Sequence, residues 1–492
     1  MTEIRSRDLI AALDEASLSR FHLRAVVVSG MGFFTDAYDL FVIGIASALI
    51  TTQWHLSSGR LALLNSTMLG AAFLGAFVFG RLADVVGRKR VYWMVAAIMI
   101  VGALGSALSP SYWVLVAFRF LLGFGVGGDY PVSAVLMSEY ANRKDRGKLV
   151  GMVFATQALG LIVGPLIAQT LLGAGVSDNV AWRILLGLGA VPAAAVIYLR
   201  SRMPESPRYQ VQVQGKAEQA ASQISDFTGG KVNGNGARSA RHQMGLRAFL
   251  TNRRYLILLA GTAGTWFLLD YAYYGNTIST PQILSLISPH ASTMTKIALQ
   301  LAIFVVAALP GYLLAIAYLD RIGHRRLQLL GFAVMGLCFA VIAVVPGMTT
   351  MVVPFLLVYG VSYFFTEFGP NMTTFVIPSE VYPVSMRATG HGISAGIGKF
   401  GAFIGVFLFP LLQTSLGLRG TLLLTAAVSV LGFALTLVLP ETSGVSLEDI
   451  AKPSGDRLDE TGIYPRFTGA PPLPVVDQAS APLPVADQAS AL

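Results

Sequence analysis

Long apolar runs recur from about residue 24 to residue 439, separated by short polar turns, and they restrict this chain more than any other feature. Each run is about 20 residues long, the length of helix that crosses the hydrocarbon core of a bilayer. Twelve such runs fit best along the 492 residues. A backbone in hydrocarbon must satisfy its own amides and carbonyls, so runs of this kind are read as helices. Only 12% of the residues are charged and 54% are hydrophobic. Soluble domains carry about 25% charged residues, so an ordinary water-soluble enzyme is excluded.

The formal charge of +9 has the sign of a nucleic-acid binder, but its distribution argues against nucleic acid. The cations gather in short turns: Arg81, Arg88, Lys89 and Arg90 in one, Arg143 to Lys148 in a second, Arg321 to Arg326 in a third. That is the positive-inside pattern, which predicts cytoplasmic basic turns and cytoplasmic termini, in a plasma membrane or a bacterial inner membrane. The stretch from Met1 to Leu23 mixes both charge signs and lacks the layout of a cleavable signal. The single cysteine, Cys338, excludes an internal disulfide and builds no cysteine metal site alone. No paired nucleophile and base and no metal-ligand cluster stands out, so neither an enzyme, a cofactor nor a metal is expected.

Against this apolar background, ionisable residues inside the runs are costly and mark pathways. The fourth run carries Arg119 and then G-V-G-G-D-Y-P, Gly125 to Pro131, with Asp129 and Tyr130 side by side. Its glycines allow bending or close helix contact, and Pro131 leaves one carbonyl unpaired. A bent polar half-helix that holds substrate is the expectation here. In the first run Asp36 and Asp39 lie near one helical face. Asp36 is the better protonatable candidate, being half-way along the run, while Asp39 also reads as a charge near the interface. The fifth run contains Gln157, which also reads as a plain interhelical hydrogen-bonding residue. In the seventh, Trp266, Asp270 and Tyr274 form one stripe at i, i+4 and i+8, with the acid between two aromatics. Asn371 lies in the tenth run after Pro370, and Lys399 lies among small residues in the eleventh.

The two halves repeat at an offset of about 240 residues. Asp84-x-x-Gly87-Arg88-Lys89-Arg90 returns as Asp320-x-x-Gly323-His324-Arg325-Arg326. Ser138-Glu139 with Arg146 returns as Ser379-Glu380 with Arg387, and Pro204-Glu205-Ser206 as Pro440-Glu441-Thr442. At the offset of the Glu and Arg pairs, Tyr130 falls on Asn371. The implied organisation is a cytoplasmic segment 1–22, a six-helix half 23–203, a cytoplasmic linker 204–252, a second half 253–439 and a cytoplasmic tail 440–492. The linker reads as flexible and the proline-rich tail, with its tandem P-L-P-V repeat, as disordered. Two six-span halves joined in this way form the major facilitator architecture, an all-α membrane fold in which substrate binds at the midplane.

Several stretches in order resemble the proton-coupled inorganic phosphate transporters of plants and fungi: G-M-G-F-F-T-D-A-Y-D-L-F, G-G-D-Y-P-V-S-A, G-T-x-x-T-W-F-L-L-D, and F-G-P-N-x-T-T-F-V-I-P-S-E-V-Y-P with R-A-T-G-H-G-I-S-A. The resemblance covers all twelve spans and fails only in the linker and tail. It implies a phosphate cage of Tyr130, Gln157, Trp266, Asp270, Tyr274 and Asn371, proton carriers Asp36 and Asp129, Arg119 paired with that acidic network, and Lys399 as positive charge near the site. The chain departs in the third span, where fungal relatives carry an acid and Val95 or a neighbour stands here. The turn residues Asp84, Gly87, Arg88, Glu139, Arg146, Asp320, Arg325, Glu380 and Arg387 form the expected gating motifs. Phosphate presents both donors and acceptors, so phenol, amide and indole groups suit it chemically. Asp270 beside an anion favours its protonated form, which ties proton to phosphate binding. The implied partners are phosphate, protons and the lipid bilayer, with the monomer as the working unit. Rival readings are the same fold moving a sugar or organic anion, and a nutrient sensor that does not transport.

Overall fold

The computed structural model describes residues 6–201, 203–228 and 244–451. The repetitive part of the tail, expected to be disordered, lies outside the described residues, as does most of the glycine-rich part of the linker. The first half consists of α1 (Arg20–Thr51), α2 (Gly59–Val86), α3 (Arg88–Ala107), α4 (Tyr112–Tyr140), α5 (Arg146–Gly173) and α6 (Asp178–Leu199). The second begins with α7 (Arg253–Ile278), α8 (Thr295–Ile322), α9 (His324–Val344) and α10 (Val352–Ser379). A last apolar segment, Arg387–Thr436, is 50 residues long and breaks at Gly417, where φ is 68° and ψ 174°. It therefore supplies two helices, α11 (387–416) and α12 (418–436), and the twelve expected spans are all present.

The glycines of α4 serve contact. A Cβ at Gly123 would lie 2.2 Å from the carbonyl oxygen of Met68, and one at Gly127 2.0 Å from that of Ala72, so α2 and α4 touch backbone to backbone. This helix is not broken: α4 runs without interruption through Pro131. The break lies in α10. Helix ends at Phe368 and restarts at Pro370, with Gly369 at φ −119° and ψ −105°. Pro370 has no N–H to continue the ladder, and Gly331 of α9 presses on the break, since its own Cβ would meet Pro370 Cδ at 2.1 Å. Two smaller irregularities accompany it. In α5 one helical stretch stops at Ala155 and the next starts at Gln157, and α8 contains a π-turn over Phe304–Ala308. Such defects in membrane helices free backbone groups beside polar cavities.

The stretch expected to be a flexible linker is folded where it is described. Helix Ala217–Thr228 buries Ala217, Ala220, Ala221 and Ile224, a short i, i+3, i+4, i+7 stripe that small alanines made easy to overlook. Ahead of it, the fully buried Arg208 joins three distant segments. It pairs with Asp14 at the end of helix Ser6–Asp14 and with Glu448 of helix Leu447–Ala451, the latter at 2.6 Å. Burial alone would lower the Arg208 pKa, but the carboxylates of Glu448 and Asp14 raise it above its ordinary value.

Candidate functional site: a buried polar chamber and a closed basic end

Lys399 on α11 is the centre of the chamber. It is buried, and its Nζ donates to Asp270 Oδ2 at 2.9 Å and to the Tyr274 hydroxyl at 3.1 Å. The same ammonium stands 4.4 Å from the ring centroids of both Tyr130 and Tyr274, a cation–π contact from each half of the molecule. The two phenol oxygens are 3.4 Å apart, so the halves meet here. From Tyr130 the polar string continues: Gln157 Nε2 donates to the Tyr130 hydroxyl at 3.3 Å, and the Tyr312 hydroxyl donates to Gln157 Oε1 at 3.4 Å. Asn371 Nδ2 then donates to the Tyr312 oxygen at 2.9 Å and also to Glu367. Trp266 closes one side, 6.1 Å between centroids from Tyr130. Toward the basic turns the chamber is floored by aromatic rings: Phe33 lies 4.9 Å from Tyr130 and 4.8 Å from Phe375, which lies 4.6 Å from Phe154.

All seven residues expected around the chamber are therefore brought together, from α4, α5, α7, α10 and α11. The acids of the first half distribute differently from expectation. Asp36 is buried on α1 and interacts electrostatically with the Tyr130 phenol. Asp129 points the other way, toward α3, where it accepts from Ser133 at 3.1 Å, and Ser133 in turn meets the Tyr92 hydroxyl at 3.1 Å. Arg119 does not join Asp129. Ten residues along a helix separate them by about 15 Å. Instead Arg119 donates to the backbone oxygen of Asp39 at 2.7 Å, contacts Met68 Sδ, and interacts with the Asp39 carboxyl electrostatically without a direct ion pair among the described residues. The acid with the interface reading is thus the one that the buried guanidinium serves.

At the basic end, the paired motifs form two clusters that bridge the halves. In one, Arg88 lies 3.1 Å from both Asp84 and Glu139, and Arg387 lies 3.4 Å from Glu139. Asp84 also caps the start of α11, accepting from the Thr389 amide at 2.6 Å and its hydroxyl at 2.7 Å. In the other cluster, Arg146 lies 2.7 Å and His324 3.0 Å from Glu380, and His324 lies 3.1 Å from Asp320. Asp320 caps the start of α5, accepting from the Gly147 amide at 3.1 Å and the Lys148 amide at 2.7 Å. Burial alone would raise the Glu380 pKa, but His324 and Arg146 hold it down at about 2. Gly87 and Gly323 make the two turns at φ 103° and 100°, conformations that favour glycine. Arg325, expected among the gating groups, stands outside both clusters and donates to the Leu437 oxygen at 2.8 Å. His324 occupies the place that Arg88 has in the first half.

Comparison with known proteins decides the lineage. Residues 25–452 match the sugar (and other) transporter family. The chain is 37% identical to the probable inorganic phosphate transporter 1-6 of Arabidopsis thaliana, over 90% of this chain and 96% of that protein. It is 38% identical to inorganic phosphate transporter 1-6 of Oryza sativa subsp. japonica, over 92% and 96%. The chain belongs to the inorganic phosphate transporters of the major facilitator superfamily. The fold agrees with that of the proton:xylose symporter XylE bound to 6-bromo-6-deoxy-D-glucose, with a TM-score of 0.77, 19% identity, and 87% of this chain and 98% of that one covered.

Within this family frame, the chamber holds groups that motif reading passed over. Tyr312 follows the π-turn of α8, in a sequence whose Pro310-Gly311 marked an irregularity without indicating a polar face. Glu367 lies one turn before Asn371 on α10, so the i, i+4 rule places it toward the same side. His391, buried against Trp266 and Phe375, donates from Nε2 to the Phe375 carbonyl oxygen at 3.1 Å.

Proposed function

We propose that this protein takes up inorganic phosphate by proton symport through alternating access. The observation that carries the reading is the setting of Lys399: one ammonium, paired with one carboxylate, inside a ring of phenol, amide and indole groups shared by both halves. A phosphate oxyanion is attracted to that ammonium and can both donate to and accept from the surrounding groups. It also competes with Asp270 for Lys399. Protonation of Asp270 releases the ammonium and removes a repelling charge, so each ligand raises the affinity for the other. A neutral sugar draws no comparable advantage from the ion pair. The named phosphate transporters among the relatives support the same substrate.

Tyr130, Gln157, Trp266, Asp270, Tyr274, Asn371 and Lys399 form the substrate cage in this reading. Asp36, facing the Tyr130 phenol, is the proton carrier of the first half. Asp129 reaches protons by the α3 side, and Arg119 neutralises Asp39. The basic turns lie in the cytoplasm by the positive-inside rule, with both termini on that side, and the halves 23–203 and 253–439 rock about the chamber. The gate clusters then seal the chamber from the cytoplasm and part when it opens inward. The protein works as a monomer in a plasma membrane or bacterial inner membrane, and performs transport without covalent catalysis.

The test is uptake of labelled phosphate into proteoliposomes with an inside-alkaline pH gradient. Accumulation should collapse with an uncoupler, and Asp270→Asn should abolish accumulation. Uptake indifferent to the gradient, or an Asp270→Asn protein that still concentrates phosphate, overturns proton symport through this pair. Lys399→Ala should weaken apparent affinity strongly; unchanged affinity removes its electrostatic role.

A further inference from the structure

Glu367 is fully buried in α10, yet none of the roles assigned above uses it. Its Oε2 accepts from Asn371, while Oε1 has no hydrogen-bond partner among the described residues. The phenols of Tyr273 on α7 and Tyr312 on α8 face the carboxyl, and Tyr363, one turn back on α10, senses its charge. From α9 the neighbouring contact is Met335, which meets Thr366. No basic side chain forms an ion pair with Glu367 among the described residues, whereas the buried Asp270 has Lys399 at 2.9 Å and the buried Glu380 has Arg146 at 2.7 Å. An ionised carboxylate without a cation is costly at membrane depth, and its protonated form is the cheaper one there.

A row of hydroxyls begins at Tyr363, one turn from this acid, and runs away from the basic end. The Tyr363 hydroxyl donates to Thr277 Oγ1 at 2.8 Å and lies 3.3 Å from Thr280 Oγ1. Thr280 Oγ1 is also 3.3 Å from the Tyr359 hydroxyl, which reaches the Asn276 oxygen at 3.4 Å. In the other direction Glu367 touches the cage directly, through Asn371 and then Tyr312 and Gln157.

We infer that Glu367 is a second proton-binding carboxyl of the C-terminal half, loaded through the Tyr359–Thr280–Tyr363 hydroxyl row and coupled to substrate through Asn371. One proton adds to a Glu367 carboxylate oxygen from the face opposite the basic turns. The same proton leaves toward the basic face after the chamber has opened there, and no other bond changes. Ionised Glu367 repels an anion from the Asn371 side of the cage and ties up the Asn371 amide; neutral Glu367 removes the repulsion. The carboxyl group therefore acts on the side of the cage opposite the Lys399–Asp270 pair. This inference rests on the proton-symport reading.

The experiment measures the limiting phosphate accumulation ratio in proteoliposomes against the size of the imposed pH gradient, for the wild-type full chain and Glu367→Gln. Each ratio is normalised to phosphate exchange at equal pH. Loss of one coupled proton lowers the limiting ratio about tenfold per pH unit of gradient. A wild-type protein that does not concentrate phosphate overturns symport and, with it, this role. A wild-type protein that does so, with Glu367→Gln showing the same gradient dependence, overturns the Glu367 assignment alone. Should Glu367→Gln be inactive, infrared difference spectra of the wild type and Glu367→Asp at neutral pH decide. A protonated-carboxyl band that responds to phosphate and shifts in the aspartate variant supports the assignment; absence of such a band overturns it.

Discussion

The two charged clusters at the basic turns have the same plan and different chemistry. In the first, Glu139 is held by two guanidinium groups, Arg88 and Arg387, both permanently charged. In the second, Glu380 is held by Arg146 and by an imidazole, His324. Both clusters join residues of opposite halves, and both place an aspartate at a helix start of the other half. The repeat thus keeps the geometry of the cluster while one of the cations is titratable. The first cluster is redundant, since removing either arginine leaves the other. The second pairs one guanidinium with an imidazole: burial alone would lower the His324 pKa, but Glu380 and Asp320 push it up to about 10, so its charge is lost only at alkaline pH.

That difference sets the largest expected effect. Arg146→Ala leaves the buried Glu380 with only His324, whose charge is lost as pH rises through about 10, so the full cost of an unpaired buried carboxylate, about 3–5 kcal/mol, is reached only at alkaline pH. Arg387→Ala should cost much less, because Arg88 still serves Glu139. The cost falls on the state with both clusters formed, so Arg146→Ala should increase labelling of a cysteine placed at Ser379 from that side with a steep rise toward alkaline pH, and Arg387→Ala only modestly at any pH. Equal labelling in the two variants would remove the distinction between the clusters.

Acidity separates the clusters next. Glu380, held at about 2, lies below its unfolded value of about 4.3. A depressed carboxylate contributes stability that is fully present above the unfolded pKa and is lost as pH falls through the folded one. The window is therefore about pH 4.3 down to pH 2, and the full contribution is about 3 kcal/mol. Thermal unfolding in detergent should show this loss in the wild type, and Glu380→Gln should flatten the curve over that window. An unchanged slope in Glu380→Gln assigns the acid sensitivity elsewhere.

The turns themselves should behave alike. Gly87 and Gly323 share φ near 100°, and a Cβ there would lie 2.6 Å from Glu205 Oε2 in one case and 2.5 Å from Glu441 Oε2 in the other. Alanine at either position should cost about 1–3 kcal/mol through backbone strain, read as a lower unfolding temperature. A large difference between the two would show that the repeat is looser than its geometry.

Much of this symmetry was legible in the sequence. The apolar runs announced the helices, and the offset of the Glu and Arg pairs placed Tyr130 opposite Asn371 before any coordinates. The residues that gather around Lys399 stood out because polar groups in apolar runs have few reasons to be there, and the family resemblance was what joined them into one set. What stayed hidden depended on helix rotation. Asp129 and Tyr130 are neighbours in sequence, yet one faces α3 and the other faces Lys399. Arg119 selected Asp39 over Asp36 by depth along α1, which spacing alone leaves open. Pro131 suggested a break that α4 does not have, its glycines instead packing tightly on α2, while the Gly369-Pro370 step in α10 does break. The short alanine stripe of the linker helix was too weakly apolar to register against membrane spans.

The smallest effect compares the caps beneath the turns. Glu441 accepts from three backbone amides, His324 at 2.7 Å, Thr442 at 3.1 Å and Ser443 at 3.3 Å. Glu205 accepts from Lys89 at 3.4 Å and Ser206 at 3.1 Å. A carboxylate at a helix start gains from both the free N–H groups and the helix dipole, so its loss costs about 1 kcal/mol. Glu441→Gln should therefore lower the unfolding temperature more than Glu205→Gln, by a margin that shrinks in high salt. The order reverses if Glu205 draws its main stabilisation from the nearby Arg88, which contributes to its charge balance at longer range. Adding Arg88→Gln to each cap variant separates the two causes: the cap term persists in the double variant, whereas an Arg88 term disappears.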